Sequence, residues 1–252
     1  GFSAAPPLDL DGLNALYAAW GQNLPFDNVV KRIHMASGST DPIPNGPPEA
    51  FFAQYLRDGT GGTCWPSSGA LYALLASIGF PARRSSAAMR DDPNGPNEHT
   101  HGTVLVAFDG VEYWTDTAML TERVFPLRVG AGIDDPVHRI RVEPAGDLWR
   151  VWWTHPFTDE MLSCLLLDPD VTQEHYLARY EWSRGHSPFN RFLNATKNVG
   201  DTRITLAIGR RFERTPDGVT NTPLEGDERI KVMVEEFGYS EEIATRLPPD
   251  DT

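Results

Sequence analysis

The chain has 252 residues, 35 acidic side chains against 22 basic ones, and a formal net charge of −13. That balance excludes a general nucleic-acid binder, which needs clustered Lys and Arg to displace counterions, and it leaves any anionic ligand to local basic residues rather than to the overall field. No apolar run approaches the ~20 residues of a membrane-spanning helix, and the length suffices for a sizeable core in one large domain or two to three small lobes.

The first ~80 residues read as helical. Leu8, Leu10, Leu13, Leu16, Tyr17 and Trp20 recur at helical spacing, with Asp9 or Asp11 as the cap. A loop is expected through Leu24-Pro25-Phe26-Asp27-Asn28, followed by a Pro/Gly-rich stretch over 38–48. A second helix is predicted over 48–56, where Phe51, Phe52, Tyr55 and Leu56 share a face. Gly59-Thr60-Gly61-Gly62-Thr63 breaks the chain, and a third helix follows over 67–78, its stripe being Leu71, Leu74, Leu75 and Ile78 and its terminator Gly79.

From Pro81 the pattern turns to strands. Residues 83–89 lead into a turn over 91–97. Segments 103–108 and 111–116 flank Asp109-Gly110, a strong hairpin signal. Further strands are expected over 137–142, 148–154 and 164–167, which together suggest a small barrel or a curled antiparallel sheet. A helix over 175–183, a hairpin over 203–213, a terminal helix over 225–237 and a frayed acidic tail over 248–252 complete the reading.

Residues 1–7 lack the basic start and long apolar run of a secretory signal. Two cysteines are too few for a disulfide framework, so a reducing cytoplasm is the expected compartment. Cys164 lies in the apolar run Met161-Leu162-Ser163-Cys164-Leu165-Leu166-Leu167 and is expected in the core. A Cys64–Cys164 bridge is the alternative, and it would silence Cys64.

Cys64 follows a glycine-rich turn and opens a predicted helix, with Pro66 suited to the first turn. The helix dipole and the unpaired first-turn N–H groups favour thiolate there, and the glycines let a substrate carbonyl approach. A structural cysteine at a helix start is the plainer reading. A nucleophile needs a base and an orienting group. His101 starts one strand of the predicted hairpin and Asp116 ends the other, so pairing across Asp109-Gly110 brings them together. The pair would fix the imidazole tautomer and leave its other nitrogen for the thiol. A buried imidazole merely satisfied by a carboxylate fits the same spacing. His99-Thr100-His101 lacks a third and fourth ligand at metal-site spacing, so no metal is expected. His34, His138, His155, His175 and His186 read as surface or structural, and the five tryptophans from Trp114 to Trp182 as filling a barrel and its edges.

The ordered set Gly61-Gly62-Thr63-Cys64, His101 with Val104 and Val106, and Asp116 resembles the arylamine N-acetyltransferases. Pro25-Phe26-Asp27-Asn28, Gly79-Phe80, Ser187-Pro188-Phe189 with 203–206, and Glu235-Glu236-Phe237-Gly238 are similar to further segments of that family, so the likeness runs along nearly the whole chain. The resemblance implies an α+β fold in three lobes: a helical bundle over 1–80 carrying the cysteine, an antiparallel β-barrel over 81–183 carrying His and Asp, and an α/β lid over 184–252. It implies a catalytic triad of Cys64, His101 and Asp116 working by ping-pong transfer through an acyl-enzyme. The co-substrate would be acyl-CoA or an acyl-carrier-protein thioester, with no tightly bound cofactor and a small-molecule amine or alcohol as acceptor. Phe26, Thr100, Met119 and Phe189 would line the substrate site.

The chain departs from that family at Thr60 (usually Arg), at Pro66 and Ser68 (usually Glu and Asn), and over Thr117-Ala118-Met119-Leu120 (usually Val-Gly-Phe-Gly). The first changes are expected to remove polar struts around the turn, and the last to stiffen a flexible loop. These departures suit a specialised biosynthetic member with a longer acyl group, or an amide synthase closing a macrolactam. A thiol hydrolase or transglutaminase-like enzyme, and a non-catalytic binding relative, are the competing classes.

Overall fold

A computed structural model describes residues 2–90 and 97–250 of the chain. Helix α1 (Leu10–Asn23) starts at Asp9, whose carboxylate accepts the Gly12 N–H at 2.9 Å. Its stripe of Leu13, Leu16, Tyr17 and Trp20 is buried, with Trp20 stacked on Phe51 at 6.0 Å. Strand β1 (Phe26–Asp27), α2 (Val29–Ala36), α3 (Pro48–Asp58) and α4 (Cys64–Ile78) follow, and Gly79 closes α4 in the left-handed region at φ 112°. The loop expected over Leu24–Asn28 thus holds strand β1, and α2 follows it in a stretch for which no element was expected. Helix α2 is short and buries Lys31 and Arg32 as well as Val29, which hides its apolar period.

Eight strands come next: β2 (Ala82–Arg90), β3 (His101–Phe108), β4 (Val111–Thr115), β5 (Phe125–Pro126), β6 (Gly132–Ile133), β7 (Ile140–Ala145), β8 (Leu148–Thr154) and β9 (Met161–Asp168). All pair antiparallel in the order β5-β4-β3-β2-β9-β8-β7-β6, and β5 lies against β6, so the sheet curls into a nearly closed barrel. Its filling includes Trp114, Met119, Phe125, Val151, Trp153 and Cys164, which forms no disulfide. Trp149 packs against this core, whereas Trp152 donates to Glu143 and Trp182 stacks on His186 at 4.0 Å. The β3–β4 hairpin turns on Asp109 (φ 49°) and Gly110 (φ 77°), the left-handed pair that a two-residue hairpin loop demands. The turn expected over 91–97 falls, except for Asn97, outside the described residues.

Helix α5 (Gln173–His186) leads to β10 (Asn194–Val199), β11 (Thr202–Ala207), β12 (Arg210–Thr215) and β13 (Gly218–Pro223), then α6 (Asp227–Glu235) and α7 (Glu241–Arg246). The second sheet runs β1-β10-β11-β12-β13, so Phe26 and Asp27, which precede α4 in the chain, are stitched to Thr196 and Ala195. Strand β10 reads Asn-Ala-Thr-Lys-Asn-Val and β13 is largely exposed, so neither shows the alternation that marks a strand in sequence. The tail does not fray as expected at 248–250: Asp250 pairs with Arg32 at 2.8 Å and accepts the Leu193 N–H at 2.8 Å, and Arg32 also donates to the Pro249 carbonyl at 2.7 Å. Residues 251 and 252 lie outside the described residues.

Candidate active site

The turn before Cys64 is shaped by close backbone approach. Phe26 forms a parallel bridge with Gly62, the Asp27 N–H donates to the Gly62 carbonyl at 3.2 Å, and the Gly61 N–H donates to Asp27 Oδ2 at 2.7 Å. A Cβ at Gly61 would stand 1.8 Å from the Pro25 carbonyl oxygen, and one at Gly62 would stand 2.9 Å from Pro66 Cγ. Both glycines are therefore required by space. Asp27 also accepts from Val29 N–H at 3.0 Å and Tyr239 Oη at 2.9 Å. Burial raises its carboxyl to about 6, against the pull of these three donors. Asn28 completes the frame by donating to the carbonyls of Phe189 and Phe192 and accepting from Asn194 N–H.

From this frame α4 starts at Cys64 itself. Thr63 is extended and makes no side-chain cap, and Pro66 has no N–H, so Thr63 leaves the first-turn amides of Cys64 and Trp65 uncapped beside the thiol. The Cys64 Sγ lies 3.8 Å from the Thr100 carbonyl oxygen, at the mouth of β3. The next residue, His101, is 3% exposed and places Nε2 2.7 Å from Asp116 Oδ2. With Nε2 engaged by Asp116, the imidazole nitrogen left for another partner is Nδ1. Burial works against a charged imidazole here. The adjacent Asp116 carboxylate, with a smaller contribution from Cys64, outweighs it and lifts His101 to about 10.

Asp116 is fully buried. Burial pushes its carboxyl up, but the His101 charge and hydrogen bond, with backbone donors, bring it below its ordinary value. Its Oδ2 also accepts Trp114 Nε1–H at 3.0 Å, and its Oδ1 accepts the N–H groups of Ala118 and Met119 at 2.9 and 3.2 Å. Tyr17 on α1 clamps the same residue from behind, donating to its carbonyl at 2.6 Å. Every lone pair of the carboxylate that faces protein thus has a donor, which fixes the imidazole plane.

The structure brings Phe26 and Phe189 into one apolar cluster with Cys64, their rings edge to face at 5.9 Å. Thr100 offers its carbonyl to the thiol, while its hydroxyl accepts Met89 N–H at 3.0 Å. Met119 is not part of that cluster: its side chain turns into the barrel core, and Ala118 and Leu120 stand beside Cys64 instead. Sequence reasoning missed those two, as well as Trp65, Tyr176 and Tyr180 of the same cluster. No periodic signal marked them, because residues 117–119 form a turn and Leu120 stands at positive φ, so the alternation of an extended strand does not apply. An apolar cavity of about 760 Å³ between residues near the N-terminus, α1 and the end of α4 touches none of the predicted site residues.

A family model described as "N-acetyltransferase" matches residues 9–244. The chain belongs to this N-acetyltransferase family. Among its relatives, an arylamine N-acetyltransferase of Mycolicibacterium smegmatis is 30% identical over 150 residues, 57% of this chain and 51% of that protein. An uncharacterized acetyltransferase, YvcN, of Bacillus subtilis is 23% identical over 177 residues, 63% of this chain and 66% of that one. The matched part therefore spans about half to two thirds of these relatives. In structure, the arylamine N-acetyltransferase of M. tuberculosis superposes with a TM-score of 0.80 at 21% identity, over 98% of this chain and 96% of that one. The Mycobacterium marinum enzyme in complex with CoA does so with 0.81 at 20% identity, over 97% and 94%.

Within the N-acetyltransferase frame, the departures noted in the sequence acquire structural roles. Ser68 does not remove a strut as expected. Its hydroxyl donates to the Gly102 carbonyl at 2.8 Å and lies 3.1 Å from Thr117 Oγ1, tying α4 to β3 and to the loop after Asp116. Leu120 stands at φ 48°, a conformation that favours glycine, and is fully buried. The loop is gripped from the C-terminal sheet by Asn198, which donates to the Leu120 carbonyl at 2.6 Å, and by Arg203, which donates to the Met119 carbonyl.

Proposed function

We propose that the chain is an acyltransferase that carries an acyl group on Cys64, taking it from acyl-CoA or another thioester and passing it to a small amine or hydroxyl acceptor. The observation that carries the reading is the His101–Asp116 hydrogen bond at 2.7 Å, with Cys64 at the start of α4 held 3.8 Å from the carbonyl of the residue before His101 and the imidazole favoured in its charged form. Membership of the N-acetyltransferase family and the CoA bound to the M. marinum relative support a CoA thioester as donor.

In this reading the Cys64 sulfur attacks the thioester carbonyl and its S–C bond forms as negative charge builds on the carbonyl oxygen. The amides at the head of α4, with the helix dipole behind them, suit that oxyanion. Collapse breaks the carbonyl's bond to the CoA sulfur, and the imidazolium supplies the proton with which the thiol leaves. Neutral His101 then takes a proton from the incoming amine or alcohol as it attacks the Cys64 acyl carbon. The acyl–sulfur bond breaks and the thiolate–imidazolium pair returns. Asp116 keeps Nε2 protonated throughout, so that Nδ1 faces the reacting atoms in both halves.

The test is thiol release from acetyl-CoA with an aromatic amine such as 4-aminosalicylate. Release that needs both substrates and vanishes in Cys64→Ala supports the reading. Peptide-bond cleavage with no release from any acyl-CoA would overturn it in favour of hydrolysis.

A further inference from the structure

Three parts of the chain meet at the Asp27 carboxylate, which is 1% exposed. Its Oδ2 accepts the Gly61 N–H of the nucleophile's turn at 2.7 Å and the Tyr239 hydroxyl of the C-terminal segment at 2.9 Å. Its Oδ1 accepts the Val29 N–H at the start of α2 at 3.0 Å. All three donors are neutral, and among the described residues no cation pairs with the carboxylate. Gly61 and Gly62 carry no side chain, the buried Thr60 hydroxyl has no partner, and Thr63 makes no cap, so the turn is held through its backbone. The segment around Tyr239 is set against the same turn. A Cβ at Gly59 would stand 2.2 Å from the Gly238 carbonyl oxygen, and Ser240 donates to Asp58 through both its N–H and its hydroxyl.

Protonation breaks this arrangement at a definite place. A carboxylic acid keeps one oxygen as acceptor and turns the other into an O–H donor. An amide N–H has nothing to accept with, so a proton on Oδ1 would face the Val29 N–H head on. On Oδ2 the Tyr239 hydroxyl can swing round and accept, which makes this the oxygen that takes the proton. The Gly61 N–H then loses its acceptor in a buried turn, where an unpaired amide is costly. Burial lifts the carboxyl to about 6, against the pull of its three donors, so the change falls at mildly acid pH. The other titratable groups on the elements around it are Tyr239, Tyr180 on α5, Cys64, Asp58 at the end of α3, Lys31 on α2 and Lys197 on β10. Burial, with the charge of Asp27 behind it, pushes both tyrosines up. Asp58 pairs with Arg57, Lys31 donates to Ser183 and Lys197 to the Phe237 carbonyl. His101, raised to about 10, and Asp116, below its ordinary value, keep their charges across the same range.

We propose that Asp27 is a positioning residue that works as an acid-sensitive latch: ionised, it holds by the Gly61 amide the turn that aims Cys64, and protonated, it releases that amide and slows acylation. The inference rests on the Cys64 acyl-enzyme reading and adds a control by pH to it.

The experiment follows acetylation of Cys64 by acetyl-CoA over a single turnover between pH 5 and 7.5, read by intact mass with Cys64→Ala as the blank. The wild-type rate should fall about 10- to 100-fold as pH drops through about 6, the range of one hydrogen bond to a charged group. Asp27→Asn imitates the protonated form, its NH₂ donating to Tyr239 and facing Gly61, and should be slow and level over the whole range. Tyr239→Phe removes a donor from the carboxylate and should move the midpoint up by about one pH unit. Melting temperature separates positioning from a merely structural role. A carboxyl raised from 3.8 to about 6 binds its proton better in the folded protein, so its stability contribution grows as pH falls and is lost as pH rises from 3.8 through 6. The wild type should therefore gain melting temperature relative to Asp27→Asn between pH 7 and 5 while its acylation slows. Acylation that falls in step with the melting temperature overturns the latch. So does a wild-type rate level down to pH 5, an acid limb that persists in Asp27→Asn, or an Asp27→Asn as fast as the wild type at pH 7.5, each leaving the Cys64 reading intact. No adduct on Cys64 at any pH overturns both. Should Asp27→Asn fail to fold, the Tyr239→Phe midpoint decides, a raised one for the latch and an unmoved one against it.

Discussion

Replacing Asp116 with Asn probes the account at its most constrained atom. Asparagine keeps the shape and lets Oδ1 go on accepting from the Ala118 and Met119 amides. Its NH₂ then faces two donors, Trp114 Nε1–H at 3.0 Å and His101 Nε2–H at 2.7 Å. The imidazole must give up the Nε2 proton or the ring must turn, and either change spoils Nδ1 toward the sulfur. In the wild type the Asp116 carboxylate, with Cys64, lifts His101 from 6.5 to about 10 against the effect of burial. The difference of about 3.5 pH units corresponds to roughly 5 kcal/mol of preference for the charged ring. Without Asp116, burial is opposed only by Cys64, and His101 falls from that raised value. The sign for stability follows directly. A raised histidine contributes fully below pH 6.5 and loses its contribution as pH rises through 10, whereas the lowered Asp116 contributes above its ordinary value and loses it as pH falls. The assay is the iodoacetamide alkylation rate of Cys64 between pH 5.5 and 9, read by peptide mapping with Cys164 as internal control. The wild type should change little between pH 6 and 8. Asp116→Asn should alkylate about 100- to 1000-fold more slowly at pH 6 and climb with pH. Equal rates with parallel profiles would refute the argument that Asp116 governs the site through His101.

Three stability predictions follow from the backbone. Ile208 is half exposed and stands at φ 47° in the β11–β12 turn before Gly209 at φ 67°, so Ile208→Asn should raise stability by about 1 kcal/mol in urea denaturation; a loss would contradict the turn strain. At Leu120 the usual order of alanine and glycine should invert. Both variants lose the buried side chain, by about 2 to 5 kcal/mol, but Leu120→Gly also relieves φ 48° and should be about 1 kcal/mol more stable than Leu120→Ala. Gly61→Ala forces a methyl into the Pro25 carbonyl and should both lower the melting temperature and cut acyl transfer at least tenfold, because the turn that aims Cys64 must move; a variant with wild-type turnover would show that the turn tolerates displacement.

The elements with strong periodicity were legible: α1, α3, α4, the β3–β4 hairpin and the strands around Cys164 all stand where their apolar spacing or turn residues put them. The hairpin also carried the site, because Asp109-Gly110 dictates that the ends holding His101 and Asp116 come together. What sequence concealed was set by long-range contact. Strand β1 exists because β10 and Gly62 lie on either side of it, and α2 buries two cations that satisfy partners far along the chain. The same holds in the loop after Asp116. Its residues could be named, but which of Ala118, Met119 and Leu120 faces the thiol depends on the left-handed turn at Leu120 and on the grip of Asn198 and Arg203.

Whether Cys64 carries the acyl group is read by peptide mapping of the protein after brief exposure to acetyl-CoA. One acetyl is expected on the peptide holding Cys64, none on the peptide holding Cys164, and loss of the label when an amine acceptor is added. Acetyl found elsewhere on the chain, or on Cys64 but indifferent to every acceptor, would contradict it.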